Sequence, residues 1–304
     1  MRSIQRFLMS LAILSGVTAA GQQADLRLVL KVPDAVAVDG LPEVGYYVLT
    51  ANNVVYRYAR ADSGLQFVGR FSLQTSATGI DLTFARDNRQ DTVVVTEWDD
   101  KLHLGFVNRY SPEGKLIGSW PTLRHIPTGI DYDPTSHLVY FATADSNELY
   151  AADLHGGSPH QVCEIRGAVQ IGPIALDIDR HLIYAADREG ALFLIDLQSK
   201  KVTRLSSSFG LASALRFDGK NRKLYVADNV QKKIYAVDLS TQTNRVIVDS
   251  EQIASPSGLA PGPENTLLVT DRKSGSVYLA KLEALGTSQA SSVRQARRKA
   301  VNQR

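Results

Sequence analysis

The 304-residue chain contains one cysteine, two methionines and two tryptophans. The single cysteine, Cys163, excludes a framework of internal disulfides, so packing alone must hold the fold together. Cys163 lies in a strand-like stretch, which predicts a buried, unreactive thiol. No long apolar stripe with a 3.6-residue period occurs, which argues against a helical solenoid. Spacings typical of zinc ligands, nucleophile elbows and phosphate loops are also missing.

The net charge of +3 conceals an uneven distribution of basic residues. Two arginines lie in the first ten positions and five basic residues in the last twenty; without these seven charges the rest of the chain carries −4. We therefore expect no nucleic-acid-binding face. The composition, 44% hydrophobic and 21% charged, is that of an ordinary globular protein.

The two ends of the chain differ from its body. Residues 1–20 combine a basic start, the apolar run from Phe7 to Leu14 and small residues before Gly21, a pattern that predicts a signal peptide. This run is too short for the roughly 20 residues that span a bilayer. We expect a secreted protein, extracellular or periplasmic, with no membrane span. Residues 284–304 predict a disordered basic tail that serves solubility or attaches loosely to an anionic surface.

The body, residues 21–283, contains six copies of one repeat. Five copies are clear and a weaker one precedes them. One equivalent position in each copy serves as an anchor for the alignment: Ala35, Gly79, Gly129, Pro173, Ala214 and Gly258. Successive anchors are 44, 50, 44, 41 and 44 residues apart. Each interval holds four short β-type runs separated by turn residues. This period predicts an all-β six-bladed β-propeller with four antiparallel strands per blade.

The last copy ends after its third strand, Ser276 to Lys281, and an orphan strand, Leu26 to Lys31, precedes the first copy. We predict that this orphan is the outermost strand of the last blade. It would close the ring through hydrogen bonds and cover an otherwise exposed sheet edge.

Two blades carry a family resemblance. Leu224-Tyr225-Val226-Ala227-Asp228 is followed by Lys233 to Leu239, and Val139-Tyr140-Phe141-Ala142 is followed by Leu149 to Gly157. These segments resemble the six-bladed propellers that include NHL repeats, YWTD repeats and SMP-30/gluconolactonase proteins. YWTD propellers usually have cysteine-rich neighbouring modules, which this chain lacks, so a free-standing propeller is expected.

In SMP-30-type lactonases, the resemblance implies a calcium ion held by Glu, Asn and Asp side chains that stand just before the anchors. The corresponding positions here are Asp34, Thr78, Thr128, Gly172, Ser213 and Ser257. Only Asp34 is a carboxylate, so the family's metal site is not reproduced. The four hydroxyl groups either line a polar ligand-binding funnel or cap turns.

Acidic residues also recur where the second strands end: Glu97, Asp145, Asp187, Asp228 and Asp271. They either form an acidic ring or accept hydrogen bonds from loop amides. The segment Glu97-Trp98-Asp99-Asp100, in the longest repeat, is the best candidate for a specific contact surface.

Two functions remain open. The first is a non-enzymatic, monomeric binding module for a protein or small molecule, without a cofactor, in which Asp34, Glu97, Trp98, Asp99 and Asp100 make contact. The second is a divergent SMP-30-like hydrolase of lactones or esters. Its weakly bound calcium would use Asp34, Asp145, Asp187 and Asp228.

Overall fold

The computed structural model describes residues 25–62, 64–87, 90–206, 208–241 and 243–282. The predicted signal peptide, residues 1–20, and the predicted basic tail, residues 284–304, lie outside these ranges. The described residues form six four-stranded antiparallel sheets, the blades of a β-propeller. The fold predicted from the repeat is therefore confirmed.

The strands follow one another in the same order in every blade, from the central channel outwards. Blade 1 comprises β2 (Ala35–Leu41), β3 (Gly45–Thr50), β4 (Val54–Ala61) and β5 (Gly64–Ser72); blade 2 comprises β6 (Thr78–Arg86), β7 (Asp91–Asp99), β8 (Leu104–Tyr110) and β9 (Leu116–Leu123); blade 3 comprises β10 (Pro127–Asp133), β11 (Leu138–Thr143), β12 (Glu148–Asp153) and β13 (His160–Glu164); blade 4 comprises β14 (Ile171–Asp177), β15 (Leu182–Asp187), β16 (Leu192–Asp196) and β17 (Val202–Ser206); blade 5 comprises β18 (Ala212–Asp218), β19 (Lys223–Asp228), β20 (Lys233–Asp238) and β21 (Thr243–Asp249); blade 6 comprises β22 (Pro256–Pro261), β23 (Thr266–Asp271), β24 (Ser276–Lys281) and β1 (Leu26–Lys31). A three-residue 3-10 helix, Ile178–Arg180, follows β14.

The predicted closing strand is confirmed. β1 pairs antiparallel with β24, with Leu26 opposite Ala280 and Lys31 opposite Ser276. It is the outermost strand of blade 6, in the order β1-β24-β23-β22. The ring is thus sealed by a strand from the start of the body and not by a covalent bond.

The hydrophobic core is divided into six clusters, one between each pair of adjacent blades. Between blades 1 and 2, for example, Tyr47 and Leu49 pack against Phe84 and Val93. Every residue of the second strand β3 is buried because neighbouring blades cover both faces of its sheet. Outer strands such as β5 are mostly exposed.

Cys163 is a free, partly buried thiol on the outer strand of blade 3. Burial raises the pKa of this thiol to about 11, so it is not an activated nucleophile at neutral pH. Within the described ranges, no helix is long and apolar enough to cross a membrane.

Candidate functional site

The two faces of the ring carry different connections. We call the face where the inner strands begin the front face; it also carries the turns between second and third strands. The opposite face, where the inner strands end, is the back face. Each inner strand contains a β-bulge near its start. The bulge fixes which residues lie at the same level of the channel.

Three of the predicted hydroxyl residues join adjacent blades at the bulge. The Thr128 hydroxyl donates to the carbonyl oxygen of Ile171 at 2.9 Å, and the Ser213 hydroxyl donates to that of Pro256 at 2.6 Å. The Ser257 hydroxyl donates to the carbonyl oxygen of Ala35 at 2.9 Å, across the seam between blades 6 and 1. Each acceptor is the first residue of the next inner strand. These hydroxyls therefore link blades.

Asp34 and Thr78 do not share that level. The residue opposite the strand-end position of the second strand (Thr50, Glu97 and Thr143) is Ala35 in blade 1, Gly79 in blade 2 and Pro127 in blade 3. Ala35 and Gly79 are therefore equivalent to Pro127. The residues equivalent to Thr128 are consequently Val36 and Ile80. Asp34 lies in an exposed turn with φ of 56°, and Thr78 is exposed at the start of β6.

Three acidic residues at the ends of second strands accept hydrogen bonds from backbone N–H groups, both in the loop that enters the blade and in the turn that follows the second strand. Asp228 accepts the N–H groups of Gly210 at 2.7 Å and Gln231 at 2.9 Å. Asp187 accepts from Val169, Glu189 and Ala191, and Asp271 accepts from Ala254, Ser255 and Ser274. All three are buried. They fasten the loop that enters the blade to the turn that follows the second strand.

Asp145 differs from these acids because Thr143 holds the strand-end position in blade 3. The Asp145 carboxylate lies in the following turn, where it accepts the N–H of Ile126 at 2.8 Å and contacts His125 Nδ1 at 3.0 Å. Its side chain is 37% exposed.

Glu97 is fully buried and belongs to a polar network inside blade 2. Its carboxylate accepts hydrogen bonds from the Thr75 hydroxyl and, at 2.7 Å, from the Tyr110 hydroxyl. Burial raises the pKa of Glu97 despite these donors and the neighbouring Asn108. The Asn108 amide is also buried, and neither of its polar atoms has a hydrogen-bond partner among the described residues. Glu97 thus supports the front end of blade 2 from within.

The hairpin beyond Glu97 projects from the front face. The pairing between second and third strands ends at Asp228 in blade 5 and at Asp271 in blade 6, positions equivalent to Glu97. In blade 2 it continues for two further residues, to Asp99 opposite Leu104. At about 3.3 Å per residue, this extension adds about 7 Å.

We call residues 98–104 the blade 2 hairpin. The Ser76 hydroxyl donates to Asp99 at 2.6 Å, and this bond together with two turn amides lowers the pKa of Asp99. The indole N–H of half-buried Trp98 donates to Asp100 at 2.7 Å. Leu102, at the tip, is 62% exposed. The structure therefore brings Trp98, Asp99 and Asp100 together and leaves Asp34 apart from them.

A charged cluster in the central channel was not predicted. The cluster consists of Asp39 on blade 1, Asp131 on blade 3 and Arg216 on blade 5. Each of them lies opposite a tyrosine of the second strand, and this tyrosine is three residues before the end of that strand. The three charged residues are therefore at one level of the channel. The same level on the other blades is occupied by Thr83, Ala175 and Ala260. Arg216 Nη1 donates to Asp39 Oδ1 at 2.9 Å, past the channel-facing edge of blade 6.

Asp81 adds a third carboxylate to the channel. Its position, opposite Thr96, is two residues nearer the front face than the level of Asp39 and Asp131. Burial raises the pKa of Asp81 to about 7, and the like charges of Asp39 and Asp131 add to the effect. Burial also raises the pKa of Asp131, to about 6, although Arg216 opposes this. The sequence signal that could have predicted this cluster is the presence of a charged residue inside a buried inner strand.

The calcium alternative does not fit the arrangement of its proposed ligands. Asp187 and Asp228 accept backbone amides, Asp145 lies in an exposed turn, and Asp34 is at a different level. In the part of the chain that the structure describes, no three histidine, cysteine or acidic side chains are close enough together to hold a metal ion.

Comparison with known proteins supports the resemblance over part of the chain. A family model described as the SMP-30/Gluconolactonase/LRE-like region matches residues 160–283, from the outer strand of blade 3 to the end of blade 6. This confirms the predicted similarity for that part of the ring. No curated protein matches the chain significantly.

Solved structures match most of the chain. A chain from the crystal structure of a nidogen/laminin complex has a TM-score of 0.61 and 17% identity, covering 75% of this chain and 85% of that one. The WD40 β-propeller domain of Doa1 has a TM-score of 0.63 and 11% identity, covering 86% of this chain and 97% of that one. At these identities the similarity concerns the fold alone.

Proposed function

We propose that this propeller is a binding module that holds a protein partner on its front face through the blade 2 hairpin. The observation that carries the proposal is the hairpin's extension of about 7 Å beyond the equivalent turns. It presents an exposed leucine, Leu102, beside a half-buried tryptophan, Trp98. Large apolar side chains of this kind dominate the energetics of protein interfaces.

The distribution of exposed apolar side chains supports the same face. Leu102, Val169 and Val230 are 62%, 41% and 63% exposed, and all three lie in front-face connections. Among the described residues, the other large exposed apolar side chains lie on outer strands, and none lies in a back-face turn. The hairpin also carries Asp100 and Lys101, which would give a polar rim to an apolar contact.

The pattern of residues 1–20 supports a location outside the cytoplasm, extracellular or periplasmic. The ring is sealed without a disulfide, so its stability would not depend on the redox state of that compartment.

The test is site-specific crosslinking in the native host. A photoreactive residue at position 102 should crosslink one defined protein, while the same residue at Lys220 on the back face should not. In binding measurements with that protein, Leu102→Ser should weaken affinity at least tenfold. Ile117→Ser, which removes a similar exposed side chain from an outer strand, should have little effect. Equal losses in both variants, or equal crosslinking from both faces, would contradict the proposal.

The family match over residues 160–283 favours a second candidate, a metal-dependent hydrolase of lactones or related esters. It requires calcium ligands that the predicted acids do not provide together. Calorimetric titration with calcium, combined with turnover on a panel of lactones, tests this candidate. Heat of binding and turnover that both depend on the metal would support the hydrolase, whereas the absence of both would eliminate it.

A further inference from the structure

Glu97 has hydrogen-bond partners unlike those of the equivalent acids in blades 4, 5 and 6. In each of those acids both carboxylate oxygens accept backbone N–H groups, so protonation of either oxygen would remove a hydrogen bond: Asp187, Asp228 and Asp271. Glu97 instead contacts the hydroxyls of Thr75 and Tyr110, and among the described residues it accepts no backbone N–H. A hydroxyl can donate to a carboxylate or accept from a carboxylic acid, so these partners fit both forms of Glu97.

The buried amide of Asn108 also fits both forms. Asn108 and Tyr110 are alternate residues of β8, and Glu97 faces the same side of the sheet because it lies opposite Phe106. Burial raises the pKa of Glu97 and of Tyr110, and the Asn108 amide, next to both groups, opposes the rise. Neither polar atom of this amide has a hydrogen-bond partner among the described residues. Its Nδ2 can donate to a Glu97 carboxylate, and its Oδ1 can accept the proton of a Glu97 carboxylic acid.

No positive charge compensates an ionised Glu97. In the part of the chain that the structure describes, no lysine, arginine or histidine nitrogen lies within 4.0 Å of its carboxylate. The loop that enters blade 2 offers the uncharged residues 74–76, β8 offers Tyr110, and the neighbouring parts of β5 and β9 are apolar. Asp99, two residues further along β7, adds a negative charge. The ionised form of Glu97 therefore costs free energy that the neutral form does not.

Glu97 connects the entering loop to the base of the blade 2 hairpin. Thr75 donates to Glu97, and the next residue, Ser76, donates to Asp99 at 2.6 Å. We propose that the loss of a proton from Glu97 loosens this loop and, through Ser76, the blade 2 hairpin, whereas the gain of a proton fastens both. The consequence for a partner, which would meet a better ordered hairpin at lower pH, rests on the proposed function. The switch itself does not.

The direction follows from linkage. When the loop opens, Glu97 meets water and its pKa returns towards 4.5, whereas burial raises this pKa in the closed loop. The closed loop is therefore fully favoured below pH 4.5 and becomes weaker as the pH rises through the raised pKa. Asp99 does not produce the same change, because Ser76 and the turn amides lower its pKa from 3.8 and keep it ionised over this range.

Hydrogen exchange of the full chain between pH 4.5 and pH 8, followed by mass spectrometry, measures this opening. After correction for intrinsic exchange rates, the protection of residues 74–77 and 98–104 should fall at least about threefold as the pH rises. Residues 228–233, the equivalent turn of blade 5, are the control within the same chain. Their protection should stay constant, since N–H groups occupy both oxygens of Asp228.

Two variants test whether Glu97 is the responsible group. Glu97→Gln, with thermal denaturation confirming that it is folded, should show equal protection of residues 74–77 and 98–104 at both ends of the pH range. Tyr110→Phe removes a donor to the carboxylate and should enlarge the fall. Constant protection in the unmodified chain, an equal fall in residues 228–233, a fall that persists in Glu97→Gln or one unchanged in Tyr110→Phe would overturn the proposal. These measurements contain no partner, so their failure is distinct from a failure of the crosslinking test at position 102.

Discussion

The carboxylate of Asp81 should make the folded protein less stable as the pH rises. Its pKa is raised from 3.8 to about 7, first by burial and then by the like charges of Asp39 and Asp131. A raised carboxyl pKa means that the folded state binds the proton more tightly than the unfolded state. The resulting penalty is small near pH 4, grows as the pH rises, and is complete above about pH 7.

The size of this penalty follows from the pKa. A tenfold change in proton affinity is worth about 1.4 kcal/mol, so the rise from 3.8 to about 7 corresponds to roughly 4 kcal/mol. Asp81→Asn keeps an acceptor for the N–H of Leu82, which Asp81 Oδ1 accepts at 2.9 Å, and removes the charge. It should stabilise the protein by about 1–4 kcal/mol at pH 8.

Urea denaturation of the unmodified chain and of Asp81→Asn between pH 4 and pH 8 measures the effect. The difference between their free energies of unfolding should be largest at pH 8 and fall below about 1 kcal/mol at pH 4. Glu251→Gln, which changes an exposed carboxylate, should show no such dependence. A gain that is independent of pH, or a loss of stability at pH 8, would refute the assignment of Asp81 as a destabilising buried charge.

Two further predictions concern the seams of the ring. A chain that begins at Val32 lacks β1 and exposes the outer edge of β24; compared with a chain that begins at Asp25, it should melt roughly 10 °C lower in a thermal scan. Equal melting temperatures would show that β1 does not contribute to closure. Ser213→Ala and Ser257→Ala each remove a hydroxyl that donates to the next blade, and each should lower the free energy of unfolding by about 1 kcal/mol. Ser240→Ala, in an exposed turn, serves as the reference, and a loss as large in that variant would contradict the interblade role.

The architecture was accessible from the sequence because each blade repeats the same alternation of strands and turns. The number of copies gave six blades, and the incomplete last copy predicted the pairing of Leu26–Lys31 with the final blade. Both inferences depend only on the order of elements along the chain. They do not require the register of one strand against its neighbour.

Register is what sequence comparison missed at the candidate site. The motif Thr-Gly-Ile-Asp occurs at residues 78–81 and 128–131, but it starts one residue before the residue opposite the strand-end position in blade 2 and one residue after it in blade 3. Asp81 is therefore two residues nearer the front face than Asp131. For the same reason Asp34 does not reach the level of Thr128. The motif does not mark which residue lies opposite the strand-end position of the second strand, so alignment by motif shifts the level of the side chains.

The channel cluster was missed for a different reason. Asp39 and Arg216 are separated by 177 residues and by an intervening blade, yet they form an ion pair. Only the closed ring brings their blades into reach across the channel. By contrast, the blade 2 hairpin is local in sequence, and its unusual length was visible in the 50-residue repeat.

The pairing of β1 with β24 affects how the chain reaches its native form. The first strand of the ring finds its place only after the last strand has left the ribosome, about 250 residues later. Until then its edge and that of β24 stay unpaired and open to contact with other chains. Such distant pairing slows folding, since a large loop must close before the contact is gained. Chaperones that shield the nascent propeller would act on these two edges, and mutations in β1 would reduce the yield of folded protein more than equivalent changes in an interior blade.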